Sequence, residues 1–313
     1  METPRKIQLT GRNTYIVSLP HGWIEKLSLG KGAPVYITDN NDGTITISPK
    51  QVKKEPKIYT ISVTEGEHAT MRNIVSAYIA GADKIILKGK ETSTYAEKTR
   101  QLLSGVEIIA EGDGEITLSI LTYEDLDIEN VVKREFNVTK SMFGLVVETC
   151  KGENNCTEIS KKEEEVDRLY ILLLRDLVVN TIPQREAVFS AMVAKSIEKV
   201  GDHLVDICKS AKEAGRNEWL ANIVLNASDV YCQAYEAFTK KELDSSKFKI
   251  AIAKYKESYQ KADSTLKKQK DISKTFLLLM LLEKCNKIVR YSEDIMESNT
   301  DIIFARMETQ EKG

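Results

Sequence analysis

The first 57 residues place apolar and polar side chains in alternation, in short runs broken by glycine, asparagine and proline. Such alternation predicts strands, because successive residues of a strand face opposite sides of a sheet. A short helical segment at 21–27 separates the first pair of strands from the second, and residues 39–43 predict a hairpin. The four strands are expected to begin at Lys6, Thr14, Ala33 and Thr44.

A β domain of this size buries little apolar surface as a single chain. We therefore expect the first segment to form a dimeric core.

Residues 58–123 follow a different pattern, in which strand-like runs alternate with helical periodicity. The order of strand, helix, strand, helix, strand, strand predicts a small α/β module. Gly81 is expected to end the first helix, and Ser93 to cap the second. The stretch contains no glycine-rich phosphate loop and no catalytic constellation, so we expect it either to couple its neighbours or to support a dimer.

From residue 124 onward, apolar residues recur every three or four positions, and Pro183 is the one proline. This periodicity predicts six helices. Their expected bounds are 126–150, 157–180, 184–213, 217–240, 244–270 and 272–303. The last residues, 304–313, are expected to be a polar tail, so that the domains span 1–57, 58–123 and 124–303.

A length of 313 residues, with 42% hydrophobic and 29% charged residues, is ordinary for globular protein and predicts two or three domains. The longest apolar run, 276–282, is far shorter than the roughly 20 residues of a membrane span. The N-terminus has no apolar signal core. We therefore expect a cytoplasmic protein without membrane insertion.

The net charge of −2 is unevenly distributed. Residues 1–57 contain nine lysines and arginines against five acids, an excess of four positive charges. This excess favours an anionic partner such as nucleic acid, although a solvated basic surface would have the same composition.

Five cysteines and three histidines occur, with no C-x-x-C pair. A structural zinc site is not expected from this set, and the cysteines are expected to be reduced thiols.

The run 5–20, the segment Trp23-Ile-Glu-Lys-Leu27 and the run 29–37 together resemble the AbrB/SpoVT/MazE swapped-hairpin family. The resemblance implies that two chains interleave into one small barrel that presents basic loops to DNA. Lysine and arginine neutralise phosphates, and arginine and asparagine also bind base edges. The expected DNA-binding residues are Arg5, Lys6, Arg12 and Asn13, followed by Lys26 and Lys31. The alternative is a dimerisation module that does not contact DNA.

The third predicted helix combines a heptad seam with a row of acids. The apolar residues Val193, Ile197, Val200, Leu204, Ile207 and Ala211 are spaced four and three apart and should face the core. Glu198, Asp202 and Asp206 fall near the opposite side, four residues apart, where like charges destabilise a helix. A hard cation would relieve this repulsion. The alternative is a solvated acidic face.

The segment 198–206, Glu-Lys-Val-Gly-Asp-His-Leu-Val-Asp, resembles the acidic motif of the PhoU family. The resemblance implies a bundle of two three-helix repeats that binds metal through these acids, either divalent or iron-type. It also implies regulation of phosphate uptake together with phosphate ABC transporters and signalling kinases. Glu164 and Asp167 in the second helix fit the family's acidic start and join the expected ligands.

The second repeat matches the motif only in part. Leu282-Glu-Lys-Cys-Asn aligns with Ile197-Glu-Lys-Val-Gly, yet Lys287 and Tyr291 stand where the first repeat has Asp202 and Asp206. Metal is therefore expected in the first repeat only. Ten lysines lie within 240–270, either as a solvated face or as a surface for an acidic partner or DNA.

Together these patterns predict an α+β multidomain chain with a swapped-hairpin β barrel, a small α/β module and a PhoU-like helical bundle. The expected function is DNA-binding regulation of transcription in phosphate uptake, by a homodimer. The alternative is an adaptor that regulates a phosphate ABC transporter ATPase or a kinase without binding DNA. An enzyme is not expected, because His203 and Asp202 are adjacent on a helix and point about 100° apart.

Overall fold

The computed structural model of the protein describes residues 4–11, 13–39, 43–50, 55–63, 67–121, 126–180, 182–268 and 270–310. The chain divides into two compact units, residues 1–55 and 56–313. The predicted α+β organisation is confirmed, because antiparallel strands come first, a small sheet module follows and a helical bundle comes last. The domain bounds drawn from the sequence stay predictions.

The first unit consists of two hairpins and one short helix, as predicted. Strand β1 (Gln8–Thr10) pairs antiparallel with β2 (Thr14–Ile16). Helix α1 (His21–Lys26) follows, and β3 (Tyr36–Asp39) pairs antiparallel with β4 (Ile45–Ser48). None of the described residues between 4 and 50 is buried. The described apolar side chains of this unit are therefore exposed or only partly covered within a single chain.

The second unit begins with the predicted α/β module. A four-stranded sheet has the order β5-β6-β8-β7, in which β5 and β6 are parallel and the other neighbours antiparallel. Two helices contribute Ile74, Tyr78 and Ala96 to a core shared with the sheet. The elements are β5 (Ile58–Val63), α2 (Glu67–Ile79), β6 (Lys84–Gly89), α3 (Thr92–Leu102), β7 (Val106–Gly112) and β8 (Glu115–Ile120).

The two expected helix signals in this module had different outcomes. Gly81 follows α2 with φ +86°, a conformation that glycine adopts without steric cost, so the predicted stop is confirmed. The predicted cap at Ser93 was wrong. The N-cap of α3 is Glu91, and the Ser93 hydroxyl lies 3.1 Å from a Glu111 carboxylate oxygen on β7, to which it donates a hydrogen bond.

The helical part contains the six predicted helices. They are α4 (Ile128–Cys150), α5 (Cys156–Val179), α6 (Gln184–Ala214), α7 (Glu218–Lys240), α8 (Ser246–Leu266) and α9 (Ile272–Gln310). The expected polar tail was wrong at its start, because α9 continues to Gln310. Buried Ile302 and Ile303 and the ion pairs of Arg306 with Glu129 and Glu186 hold this last part against the bundle.

The heptad seam of α6 lies in the core, as predicted. All six seam residues are buried, and α6 packs against α4, α5 and α9. Helix α4 also packs against α7, and α7 packs against α8 and α9. The helices therefore form two sets of three, α4–α6 and α7–α9. Among the described helices, none is long and apolar enough to cross a membrane.

The cysteines do not all remain free thiols. Cys156, the first residue of α5, forms a disulfide with Cys208 near the end of α6, which corrects the expectation of reduced cysteines throughout. The two are 52 residues apart in sequence, and only the packing of α5 on α6 brings them together. Cys150 and Cys285 are free and buried, as expected.

One buried arginine joins the α/β module to the bundle. The guanidinium of Arg175, on α5, donates hydrogen bonds to the carbonyl oxygens of Tyr78 (2.5 Å) and Ala82 (2.9 Å). It also lies over the Tyr78 ring, 4.8 Å from the ring centroid. Arg175 is only 6% exposed, so these contacts are shielded from water.

We expect Arg175→Ala to lower the free energy of unfolding by about 3 kcal/mol, because two buried carbonyl oxygens lose a charged donor. Urea denaturation followed by circular dichroism measures the change. Arg72→Ala, an exposed position on α2, is the matched control and should cost less than about 0.5 kcal/mol. Equal effects of the two substitutions would contradict the role of Arg175.

Candidate functional site

Three carboxylates from two helices meet between α5 and α6. Glu163 and Asp167 lie one turn apart on α5, and Asp202 faces them from α6. One ligand oxygen from each residue lies within 4.8 Å of the others. All three side chains are half-buried, and this group is called the acidic site below.

Burial and mutual repulsion make these carboxylates hard to ionise. Loss of water, and then the charges of Asp167 and Asp202, raise the pKa of Glu163 to about 7. Loss of water, and then the charges of Glu198 and Asp202, raise the pKa of Asp167 to about 6. Like charges held close together in a partly desolvated site disfavour the ionised form of each carboxyl group. A bound cation would reverse this preference.

A fourth and a fifth carboxylate lie behind the acidic site. Glu198 on α6 is 9% exposed, and Glu135 on α4 is completely buried. Neither oxygen of Glu135 has a hydrogen-bond partner among the described residues. Burial, followed by the charges of Glu198 and Asp167, raises the pKa of Glu135 well above its usual range. Its electrostatic neighbours show that Glu135 belongs with the acidic site.

Two lysines partly neutralise these acids. The ammonium of Lys195 lies 2.8 Å from a Glu198 oxygen. The ammonium of Lys199 lies 2.6 Å from Asp202 and 3.4 Å from Glu198. Although burial favours its neutral form, the hydrogen bond to Asp202 and the charge of Glu198 raise the pKa of Lys199. A cation at the acidic site would have to displace Lys199 from Asp202.

The acids proposed from the sequence are only partly brought together. Asp167, Asp202 and Glu198 face one another across α5 and α6. Asp206 instead faces α9, where its carboxylate lies 2.5 Å from the ammonium of Lys284. Glu164 is exposed. The three acids of α6 were expected to lie together on the side opposite the seam. They instead face two different helices, α5 and α9.

Sequence reasoning missed Glu163 and Glu135. Glu163 precedes Asp167 by four residues, and that spacing could have identified the pair as neighbours on one face. Glu135 sits in the buried stripe of α4 between Val132 and Phe136, where a carboxyl interrupts the apolar pattern. A charged residue in such a stripe is an available signal for a functional position.

Oxygen ligands from carboxylates suit a hard cation or an iron-type ion. The donor set of the acidic site is all oxygen, and neither oxygen of the buried Glu135 has a hydrogen-bond partner among the described residues. The residues therefore fit a metal ion of this class.

The basic residues that the structure describes in the first unit are exposed. Arg5 and Lys6 precede β1, and Asn13 lies in the turn between β1 and β2. Lys26 ends α1, and Lys31 follows in a turn. Arg12 lies outside the described residues.

Two family models match separate parts of the chain. Antidote-toxin recognition MazE, bacterial antitoxin, matches residues 8–55, and the PhoU domain matches residues 132–211. Both are regulatory families without enzymatic activity. None of the curated proteins compared with the chain matches it.

A solved structure of PhoU from Pseudomonas aeruginosa is also similar in part. It is 15% identical, covers 58% of this chain and 92% of its own, and superposes with a TM-score of 0.38. The two family matches, rather than this distant likeness, identify the domains. The protein is therefore a fusion of a MazE-type domain at its N-terminus with a PhoU domain in its helical bundle.

Proposed function

We propose that the protein is a DNA-binding regulator of transcription in phosphate uptake, which acts in the cytoplasm by binding and not by catalysis. The observation that carries this proposal is the fusion itself. A MazE-type domain and a PhoU domain on one chain would connect a DNA-binding unit to a unit that responds to the state of the cell. The resemblance to the PhoU family indicates that the signal to which this unit responds concerns phosphate uptake.

The DNA-binding surface is assigned to Arg5, Lys6, Arg12 and Asn13, with Lys26 and Lys31 in support. The described members of this set are exposed, and the surrounding segment has an excess of positive charge. Lysine and arginine supply contacts to phosphates, whose strength depends on salt. Asparagine in the β1–β2 turn adds a group that can bind a base edge.

The binding unit is a homodimer in this proposal. Large apolar side chains of the first unit are open to solvent, among them Tyr15 (73%), Ile37 (65%) and Leu9 (60%). A lone chain would leave this surface in water, at a cost of about 25 cal/mol for each Å². A second copy of the same hairpins would cover it.

The PhoU domain binds a metal ion at the acidic site. Glu163, Asp167 and Asp202 hold the ion, while Glu198 supplies further negative charge beside it. The bound ion would offset the repulsion that raises the pKa of Glu163 and Asp167. Asp206 and Glu164 are not needed for this site.

The second candidate function is an adaptor that regulates a phosphate ABC transporter ATPase or a kinase without DNA. A MazE-type domain is compatible with an adaptor function, since the matched family description names recognition of a toxin. Recovery of such a partner from cells, together with no DNA binding at low salt, would favour the adaptor.

We expect the purified dimer to shift promoter fragments of phosphate-uptake genes. Replacing Arg5, Lys6 and Arg12 with alanine should weaken binding at least tenfold. The slope of the logarithm of the binding constant against the logarithm of the salt concentration should also become shallower by about one for each lost phosphate contact. Binding is measured by fluorescence anisotropy at several salt concentrations. The double variant Arg72→Ala, Lys90→Ala, which removes exposed charges elsewhere, should bind normally. Unchanged affinity in the triple variant would refute the assigned surface.

The full chain is expected to be dimeric, and Leu9→Glu combined with Ile37→Glu should shift it toward monomer. Two carboxylates in a covered apolar surface would lose their hydration. Sedimentation equilibrium gives the mass directly. Glu55→Gln, an exposed polar change at the end of the same unit, is the control. A double variant that stays fully dimeric would place the interface elsewhere.

Protein purified without chelator should contain metal by elemental analysis, and Asp167→Asn should reduce it to background. Binding of added Mn²⁺ should weaken as the pH falls below about 7, because protons compete for Glu163 and Asp167. Two matched variants, Glu164→Gln on the same helix and Asp206→Asn on α6, should keep the metal. A wild type that is metal-free and does not bind Mn²⁺ would exclude the site.

A further inference from the structure

The two three-helix sets of the bundle can be compared position by position. On α4 and α7, buried Val132 and Phe136 correspond to Leu220 and Val224, each 88 residues later. On α5 and α8, the buried residues Ile159, Val166 and Leu173 correspond to Phe248, Tyr255 and Ala262, each 89 residues later. The comparison shows where the second set departs from the first.

One departure creates a hollow between α7 and α8. Leu169 and Leu173 on α5 pack in the apolar core of the bundle, and their counterparts on α8 are Ser258 and Ala262. The smaller side chains leave a cavity of about 400 Å³. Cavities that hold small ligands in proteins span roughly 300–1,000 Å³.

A second departure changes the charge of this groove. In the first set, Arg134 on α4 forms an ion pair with Glu165 on α5, with the atoms 2.6 Å apart. The counterparts in the second set are Asn222 and Lys254, and both line the cavity. A lysine therefore stands where the first set has a carboxylate, and its ammonium lies 3.9 Å from a carboxylate oxygen of Asp229 on α7.

Two lysines and two amides supply hydrogen-bond donors to the cavity lining. Lys254 and Lys261 come from α8, while Asn222 and Asn226 come from α7. Asn226 is only 4% exposed, so its amide lies deep in the groove. Among the described lining residues the one carboxylate is Glu257, which is already paired with Lys261 at 2.6 Å. Because each ammonium has three donors, that pair leaves Lys261 able to bind a further oxygen.

Trp219 forms one wall of the same cavity. It offers an apolar ring and an indole N–H beside the amides and lysines. A group with several negatively charged oxygens fits two lysines and two amides, since charge-assisted hydrogen bonds to phosphate are the strongest of this kind. A metal ion does not fit, because the lining is positively charged.

We propose that the cavity between α7 and α8 binds the phosphate group of a small molecule, with Lys254, Lys261 and Asn226 as its ligands. Inorganic phosphate and a phosphate ester share this chemistry, and an ester would place its organic part against Trp219. The site is independent of the acidic site and of the DNA surface, because none of its residues belongs to either.

The chain contains two tryptophans, so Trp23→Phe makes Trp219 the only indole fluorophore. In this background, the full-length protein is titrated with inorganic phosphate and with ribose 5-phosphate at constant ionic strength, and Trp219 fluorescence is followed. We expect a saturable change with at least one of them and none with ribose. Tighter binding of ribose 5-phosphate would assign the ligand as an ester, and tighter binding of phosphate as the free ion.

Variants test the assigned contacts. Lys254→Gln and Lys261→Gln should each weaken binding at least tenfold, which matches the loss of one hydrogen bond to a charged group. Ser258→Leu restores the residue of the first set and should abolish binding while the far-ultraviolet circular dichroism stays unchanged. Lys256→Gln, on the same helix but outside this cavity, should bind normally.

Two results would overturn the proposal. The first is no saturable change with phosphate or ribose 5-phosphate up to about 10 mM, a concentration above which even a weak site would be filled. The second is equal weakening by Lys256→Gln and Lys254→Gln, which would indicate general attraction of anions to a lysine-rich helix.

Discussion

The packing of α6 among α4, α5 and α9 is the constraint on which the helical part depends. Burial of the α6 seam fixes the rotation of that helix, and the rotation decides what each of its polar residues faces. Glu198 and Asp202 turn toward α5, while Asp206 turns toward α9 and pairs with Lys284. The acidic site thus results from the apolar seam. Carboxylates next to the buried seam lie in a partly desolvated space between helices.

Periodicity along the chain predicted the helices to within a few residues, except at the end of α9, since a helix that packs on a core must repeat its apolar positions. The same reasoning could not assign contacts between helices. It placed Asp206 with Asp202, overlooked Glu135 and treated Cys156 and Cys208 as separate thiols. Each of these depends on how two helices are rotated and shifted against each other. The predicted cap at Ser93 was wrong for a similar reason. The Ser93 hydroxyl donates a hydrogen bond to the Glu111 carboxylate on β7 instead.

The two halves of the bundle show how one architecture can support opposite chemistry. The first set of helices gathers carboxylates between α5 and α6 and has Leu169 and Leu173 in or against the core. The second set has Lys254 where the first has Glu165, and Ser258 where the first has Leu169. The seams that hold the helices together are alike, so the sites could diverge without disturbing the core.

Helix α5 is held at both ends. Its first residue, Cys156, is bonded to α6, and near its other end Arg175 is hydrogen-bonded to the α/β module. Glu163 and Asp167 lie between these two attachments. The helix therefore cannot move away from α6 to increase the distance between the carboxylates. Their repulsion must be relieved by something that comes to them: a proton, a neighbouring lysine or an ion from solution.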